Sequence, residues 1–273
     1  MTTVSERQMP LAGSTLVPES QVYPHSDAEN TGTSPKRLAR IAGVLYLLVG
    51  IFGGFAQGFL YPKIYVAGEA AKSAANLVDN SGLVRVGVVA DLFQATVWVC
   101  VAMTLYVLLR HVNTSIARAM VVFAGIGAGI TCLNAVFEFE ALRAATGAVN
   151  LATLGTAGSN ALVLLLVDTQ HYGLLIASIF MGLWLAPMGY LAYKSGWFPK
   201  ALGLALGVGC GAYLVDLLAA FLLPDVGTAI HGVASIVPGI GEVWMVGYLL
   251  LIGVRTAKTV TTVTPDARIV AAV

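Results

Sequence analysis

Charge is what this sequence has least of. Of its 273 residues, 11% are Asp, Glu, Lys or Arg and 58% are hydrophobic, where a soluble domain carries about a quarter charged residues. So little charge cannot coat a water-facing surface of that size, and the composition is that of a membrane protein. The formal net charge is +1, with basic residues single or paired at the ends of apolar runs. That distribution excludes nucleic acid as a partner. Cysteine is scarce too. Cys100, Cys132 and Cys210 each lie inside an apolar run, so they form neither a paired extracellular set nor a zinc spacing, and they read as thiols buried in helices. No apolar stretch precedes Pro35, so there is no secretory h-region and the first span is expected to stay in the mature protein. No G-x-S-x-G nucleophile elbow is present, and no motif calls for a cofactor.

What the sequence has in abundance is long apolar runs. Phe180–Pro224 contains two of them, joined by the short basic turn Lys194 to Lys200. Each is long enough to cross about 30 Å of hydrocarbon at about 1.5 Å per residue. Lys194 and Lys200 assign the turn to the cytoplasmic face, and Tyr190, Tyr193 and Trp197 suit the headgroup level. This transmembrane hairpin sets the orientation of the rest. Spans are expected near 41–60, 84–109, 119–137, 172–193, 201–223 and 236–254, with Pro187 a kink site in the fourth. Val66–Asn80 is too polar to cross and reads as an outer amphipathic helix. Gly147–Val167 is ambiguous. If it crossed, every later helix would invert, whereas six spans leave 11 of the 15 Lys and Arg residues inside and only Lys63, Lys72, Arg85 and Arg143 outside. The positive-inside rule therefore makes it a second outer amphipathic helix. An outer segment followed by a hairpin would then occur twice, at 66–137 and 147–223, as in a parallel repeat or as topological necessity. Three small-residue ridges, Gly50/Gly54/Gly58, Gly125/Gly129 and Gly203/Gly207/Gly211, suggest close helix approach.

The hairpin also carries a resemblance. Its Gly-Tyr-Leu-x-Tyr-x-Ser-Gly-x-x-Pro-x-x-Leu-Gly pattern (Gly189 to Gly203) and the later Gly-x-Tyr-Leu-x-Asp (Gly211 to Asp216) resemble the bacterial membrane proteins of the DUF4386 family. Further matches are RLARIAGVLY at Arg37–Tyr46, RVGVVADL at Arg85–Leu92, LYVLL at Leu105–Leu109, and Gly241-Glu242. The resemblance covers roughly Lys36 to Arg255 and implies a multi-pass membrane protein. It implies no catalytic residue, because the family has no established activity.

The expected fold class is thus an all-α polytopic bundle of six transmembrane helices plus two outer amphipathic helices. Residues 1–35 form a disordered cytoplasmic tail, 36–256 the transmembrane domain and 257–273 a second short cytoplasmic tail. The chain is placed in the plasma (inner) membrane of a bacterium with both termini cytoplasmic and the lipid bilayer as its first partner.

The residues that bear on function are ionisable groups in or beside the spans. Asp91, Glu138, Asp216 and Glu242 come from four different spans, and helical rise places all four in the outer half of the bilayer. Arg85 is near the same level, while the inner halves hold no charge. A carboxylate near mid-membrane costs roughly 2.5–3.5 kcal/mol, so these acids should face the bundle. A candidate polar cavity open to the outside, lined by Arg85, Asp91, Glu138, Asp216 and Glu242, would satisfy this. Paired acids acting only as helix glue would satisfy it equally. Asp168 and His171, three apart, fit a carboxylate-histidine metal pair or, better, a helix N-cap followed by an unrelated histidine. His231 stands alone in a Gly-rich loop. The function read from this pattern is binding, with or without transport, of a small molecule or lipid in an outward-facing polar cavity. A membrane enzyme at the outer leaflet and a structural partner of another membrane protein are the alternatives.

Overall fold

A computed structural model describes residues 34–255, without the side chains of 224–226, 228 and 233. Both expected tails lie outside the described residues, except that helix already begins at Pro35. All described secondary structure is helical.

The Ser34 side chain caps α1 (Pro35–Gly53) by accepting from the Arg37 amide, 3.3 Å. Proline at the first helical position costs no hydrogen bond there. The helix then runs through a π-helical stretch, Gly54–Leu60, into α2 (Tyr61–Ile64). A short loop leads to α3 (Ala70–Asp79), which buries Ser73, Ala74 and Leu77. The long helices follow: α4 (Ser81–Leu109), α5 (Thr114–Ala145) and α6 (Gly155–Ser195). Asn113 caps α5 through the Ile116 amide, 3.1 Å. Gly196 turns the chain with φ 69°, a left-handed conformation that glycine adopts without a Cβ penalty. Then come α7 (Lys200–Leu222), α8 (Pro224–Ala234) and α9 (Ile236–Leu251).

Six helical rods are long and apolar enough to cross a membrane: Pro35–Ile64, Ser81–Leu109, Thr114–Ala145, Ala152–Ser195, Lys200–Leu222 and Ala229–Leu251. Phe93, Leu204, Val208, Val215, Ile240 and Val243 are among the large apolar side chains pointing out of the bundle. In water such a surface would be an aggregation hazard, and in lipid it is the expected exterior. The rods antiparallel to one another gather Lys36, Arg110, Lys194, Lys200 and Arg255 at one end, hereafter the basic end. There the Tyr248 hydroxyl donates to the Trp197 carbonyl, 3.0 Å, and the Arg255 amide reaches the same oxygen, 3.3 Å.

Two cores hold the bundle. The larger, toward the basic end, is apolar: Leu105, Met120, Trp184, Leu191, Leu206 and Leu249 are each 2% exposed or less. The smaller one, at the far end, joins Leu60, Ile64, Leu77, Leu142, Val163 and Val167. It exists because α5 and α6, with 32 and 41 residues, are about 48 and 62 Å long at about 1.5 Å per residue. Both outrun the hydrocarbon, and α3 packs against their projecting ends.

Three expectations change here. The segment 147–167 is not a separate amphipathic helix: from Gly155 on it is the first half of α6, because Ala161–Val167 continues the apolar face without a breaker. The 147–223 half therefore lacks the free outer segment that 66–137 has in α3. The stretch after Pro224 is helix α8 rather than loop. Most glycines of the ridges face no neighbouring helix: a Cβ added at Gly50, Gly54, Gly58, Gly125, Gly129, Gly207 or Gly211 would meet nothing within 4 Å. The close approaches use other glycines. A Gly189 Cβ would lie 2.6 Å from the Gly203 carbonyl oxygen, and a Gly209 Cβ 3.1 Å from the Pro238 Cα.

Candidate functional site

Each helix places its polar residues on the inward face by simple spacing. On α4 these are Asp91 and Gln94, with Gly87 one turn before and Trp98 one turn after, all buried. On α5 they are Thr131, Asn134 and Glu138, at the three- and four-residue steps of one helical face. On α6, Gln170 lies 2% exposed.

These faces meet. The Gln170 amide donates to Glu138 Oε2, 2.8 Å, from helix α6 to α5. Glu138 Oε1 lies 3.4 Å from where a Gly87 Cβ would stand, so Glu138 packs on the side of α4 that carries Asp91. Asp91 is 2% exposed and its Oδ1 has no hydrogen-bond partner. The π-helical stretch of the first rod supplies Gln57, whose amide donates to Gln94 Oε1, 3.4 Å. A Cβ at Gly53 would fall 2.6 Å from Gln94 Nε2, so the glycine there is what admits the Gln94 amide. A π-bulge re-aims side chains and is frequent at functional sites.

Next to this amide pair lies a cavity of about 250 Å³, walled by Tyr46, Gln57, Gln94, Trp184, Tyr213 and Glu242. Its remaining wall includes Gly50 and Gly54, which are exposed, so it reaches the bundle surface along α1. Tyr46 stands edge-on to Trp184, ring centroids 5.3 Å apart, and Trp98 edge-on to Trp184 at 5.7 Å. The Tyr46 hydroxyl is buried beside the Glu242 carboxylate and makes no close hydrogen bond. Glu242 is half-buried and makes no ion pair among the described residues. Toward the basic end the polar track stops, closed by the apolar side chains of the larger core.

Of the five residues expected to share a site, the structure brings three near this track and leaves two elsewhere. Glu242 lines the cavity, while Asp91 and Glu138 are buried outside its wall, one turn from Gln94 and against Gln170 respectively. Glu242 is also deeper than expected, near the middle of the Ala229–Leu251 rod rather than in its outer half, because helix already starts before Ile236. Asp216 is buried and bonded to His231 Nδ1, 2.9 and 3.1 Å, across the α7–α8 corner. Arg85 is exposed, 5.9 Å from the Phe139 ring centroid, and not in the cavity. Arg143 pairs with Glu140, 2.6 Å, not with a buried acid.

Asp168 is not an N-cap, since α6 began well before it; it accepts from the Tyr65 hydroxyl, 2.7 Å. Partial burial, and then this bond to a carboxylate, hold the Tyr65 phenol above its ordinary pKa. His171 stacks against Tyr61 and Tyr65, with centroids at 5.9 and 5.4 Å. No group of three or more metal-ligating side chains occurs among the described residues. Sequence reasoning missed Tyr46, Gln57 and Trp184, whose signal was weak: one tyrosine, one amide and one tryptophan within apolar runs.

The bundle and its lipid-facing exterior define a multi-pass, α-helical integral membrane protein, and the polar track makes it one with an intramembrane cavity. The chain belongs to the DUF4386 family, described as a domain of unknown function, whose model matches residues 41–253. No curated protein matches the chain, and no solved structure does.

Proposed function

We propose that this membrane protein binds a small molecule in the cavity walled by Tyr46, Trp184, Tyr213 and Glu242. One observation carries the reading: Glu242, an acid in the middle of a span, faces open space rather than a cation. Glu138 is held by Gln170 from a neighbouring helix at 2.8 Å, whereas Glu242 has the uncharged Tyr46 and Trp184 side chains beside it and open space beyond them. The closed apolar core toward the basic end favours binding over passage, since a transport path would need polar groups there too. The candidate site is thus Glu242 with the side chains that wall the cavity, and Asp91 and Glu138 are buried beyond that wall.

The positive-inside rule puts the basic end in the cytoplasm of a bacterial inner membrane, with both termini on that side. The far end, with α3 and the projecting halves of α5 and α6, then faces outward. The test is thiol labelling of intact cells with an impermeant maleimide, in a background with Cys100, Cys132 and Cys210 replaced. Thr156→Cys, exposed at the far end, should react. Ser115→Cys, exposed at the basic end, should react only after the cells are opened. The binding reading itself is tested by thermal stabilisation with small amines, carboxylates and sugars. At least one class should stabilise the parent protein and not the Glu242→Gln variant; no difference for any class would overturn it.

A further inference from the structure

We infer that the cavity selects an organic cation, a compact quaternary or protonated amine. The inference rests on the proposed binding reading and specifies its ligand. Three features of the wall point to positive charge. Glu242 supplies a carboxylate with no cation paired to it among the described residues. Tyr46, Trp98, Trp184 and Tyr213 supply aromatic rings around it, and such rings attract cations through their negative faces. The Gln57 and Gln94 side chains add polar groups to the same wall. No Lys, Arg or His lines the cavity, so an anion would meet uncompensated negative charge. A neutral apolar molecule would leave Glu242 buried without a partner, which is costly. The edge-to-face packing of Tyr46 and Trp98 on Trp184 fixes the rings before a ligand arrives. The small volume, about 250 Å³, limits the cationic head to a few carbons.

Tetramethylammonium is the probe, with tert-butanol as its uncharged counterpart and sodium chloride at equal ionic strength as the salt control. Binding is read from tryptophan fluorescence and thermal stability of the purified full chain in detergent, in neutral and mildly alkaline buffer. Tetramethylammonium should change both signals saturably in the parent protein, and tert-butanol should not. Glu242→Gln should weaken the response at least tenfold, whereas Glu242→Asp, which keeps the charge, should retain part of it. The Asp variant separates loss of charge from loss of fold. Equal responses to the cation and tert-butanol, an unchanged response in Glu242→Gln, or no response to the cation would each overturn the inference. If a neutral or anionic compound instead stabilises the parent but not Glu242→Gln, the cavity remains a binding site and only the cation assignment falls.

Discussion

Gly203→Leu should abolish recovery of folded protein, while Gly207→Leu, one turn along the same helix, should purify and melt like the parent. A Cβ at Gly203 would lie 2.7 Å from the Gly189 carbonyl oxygen and 3.0 Å from the Tyr193 amide nitrogen. Backbone cannot step aside as a side-chain tip can, so α6 and α7 would have to separate. Overpacking a fitted contact typically costs about 1–3 kcal/mol, and a backbone-to-backbone contact belongs at or beyond the top of that range. A Cβ at Gly207 meets nothing within 4 Å and points to the exterior. In lipid, leucine there loses little, because the acyl chains are as apolar as the side chain. Melting in detergent and yield on size exclusion read the difference. Equal melting temperatures for the two variants would show that the Gly189–Gly203 contact does not join the hairpin.

Gln170→Leu should be the next most damaging change, at about 1–3 kcal/mol or somewhat more. It removes the amide that donates to Glu138 Oε2 and leaves a 2% exposed carboxyl without that partner. The second variant gives the test its edge. Adding Glu138→Leu to Gln170→Leu takes away the stranded group along with its lost partner, so the double variant should regain most of the loss. A buried polar pair exchanged as a unit for apolar groups is often close to neutral. The coupling between the two positions should therefore be large and stabilising in the parent. Additive losses would mean that the two side chains do not hold α5 against α6 through this bond.

The membrane character and the six spans were legible because hydropathy and span length need no tertiary information. The inward placement of Asp91, Glu138 and Asp216 was legible as well, since a charge in an apolar helix has only one inexpensive direction to face. What was not legible depended on direction around the helix axis. In a soluble protein the polar face marks the outside, but here lipid and bundle are both apolar, so a glycine row such as Gly203/Gly207/Gly211 gives no sign of which way it looks. Only Gly203 of those three proved to face a neighbour. Arg85 was grouped with the acids on depth alone, and depth does not tell azimuth. The partnership of Asp216 with His231 depends on the corner between α7 and α8, whose glycines and proline read as loop. The π-helical turn that brings Gln57 to Gln94 has no sequence signature at all.

The central claim is that Glu242 faces a cavity inside the bundle and not a helix partner or lipid. An experimental structure of the full chain in lipid nanodiscs, at a resolution that shows ordered water, tests it most directly. The account predicts water or a small molecule within hydrogen-bond distance of the Glu242 carboxylate, enclosed by Tyr46, Trp184 and Tyr213. A Glu242 side chain turned to the acyl chains, or bonded to a basic side chain with the space beside it filled, would contradict it.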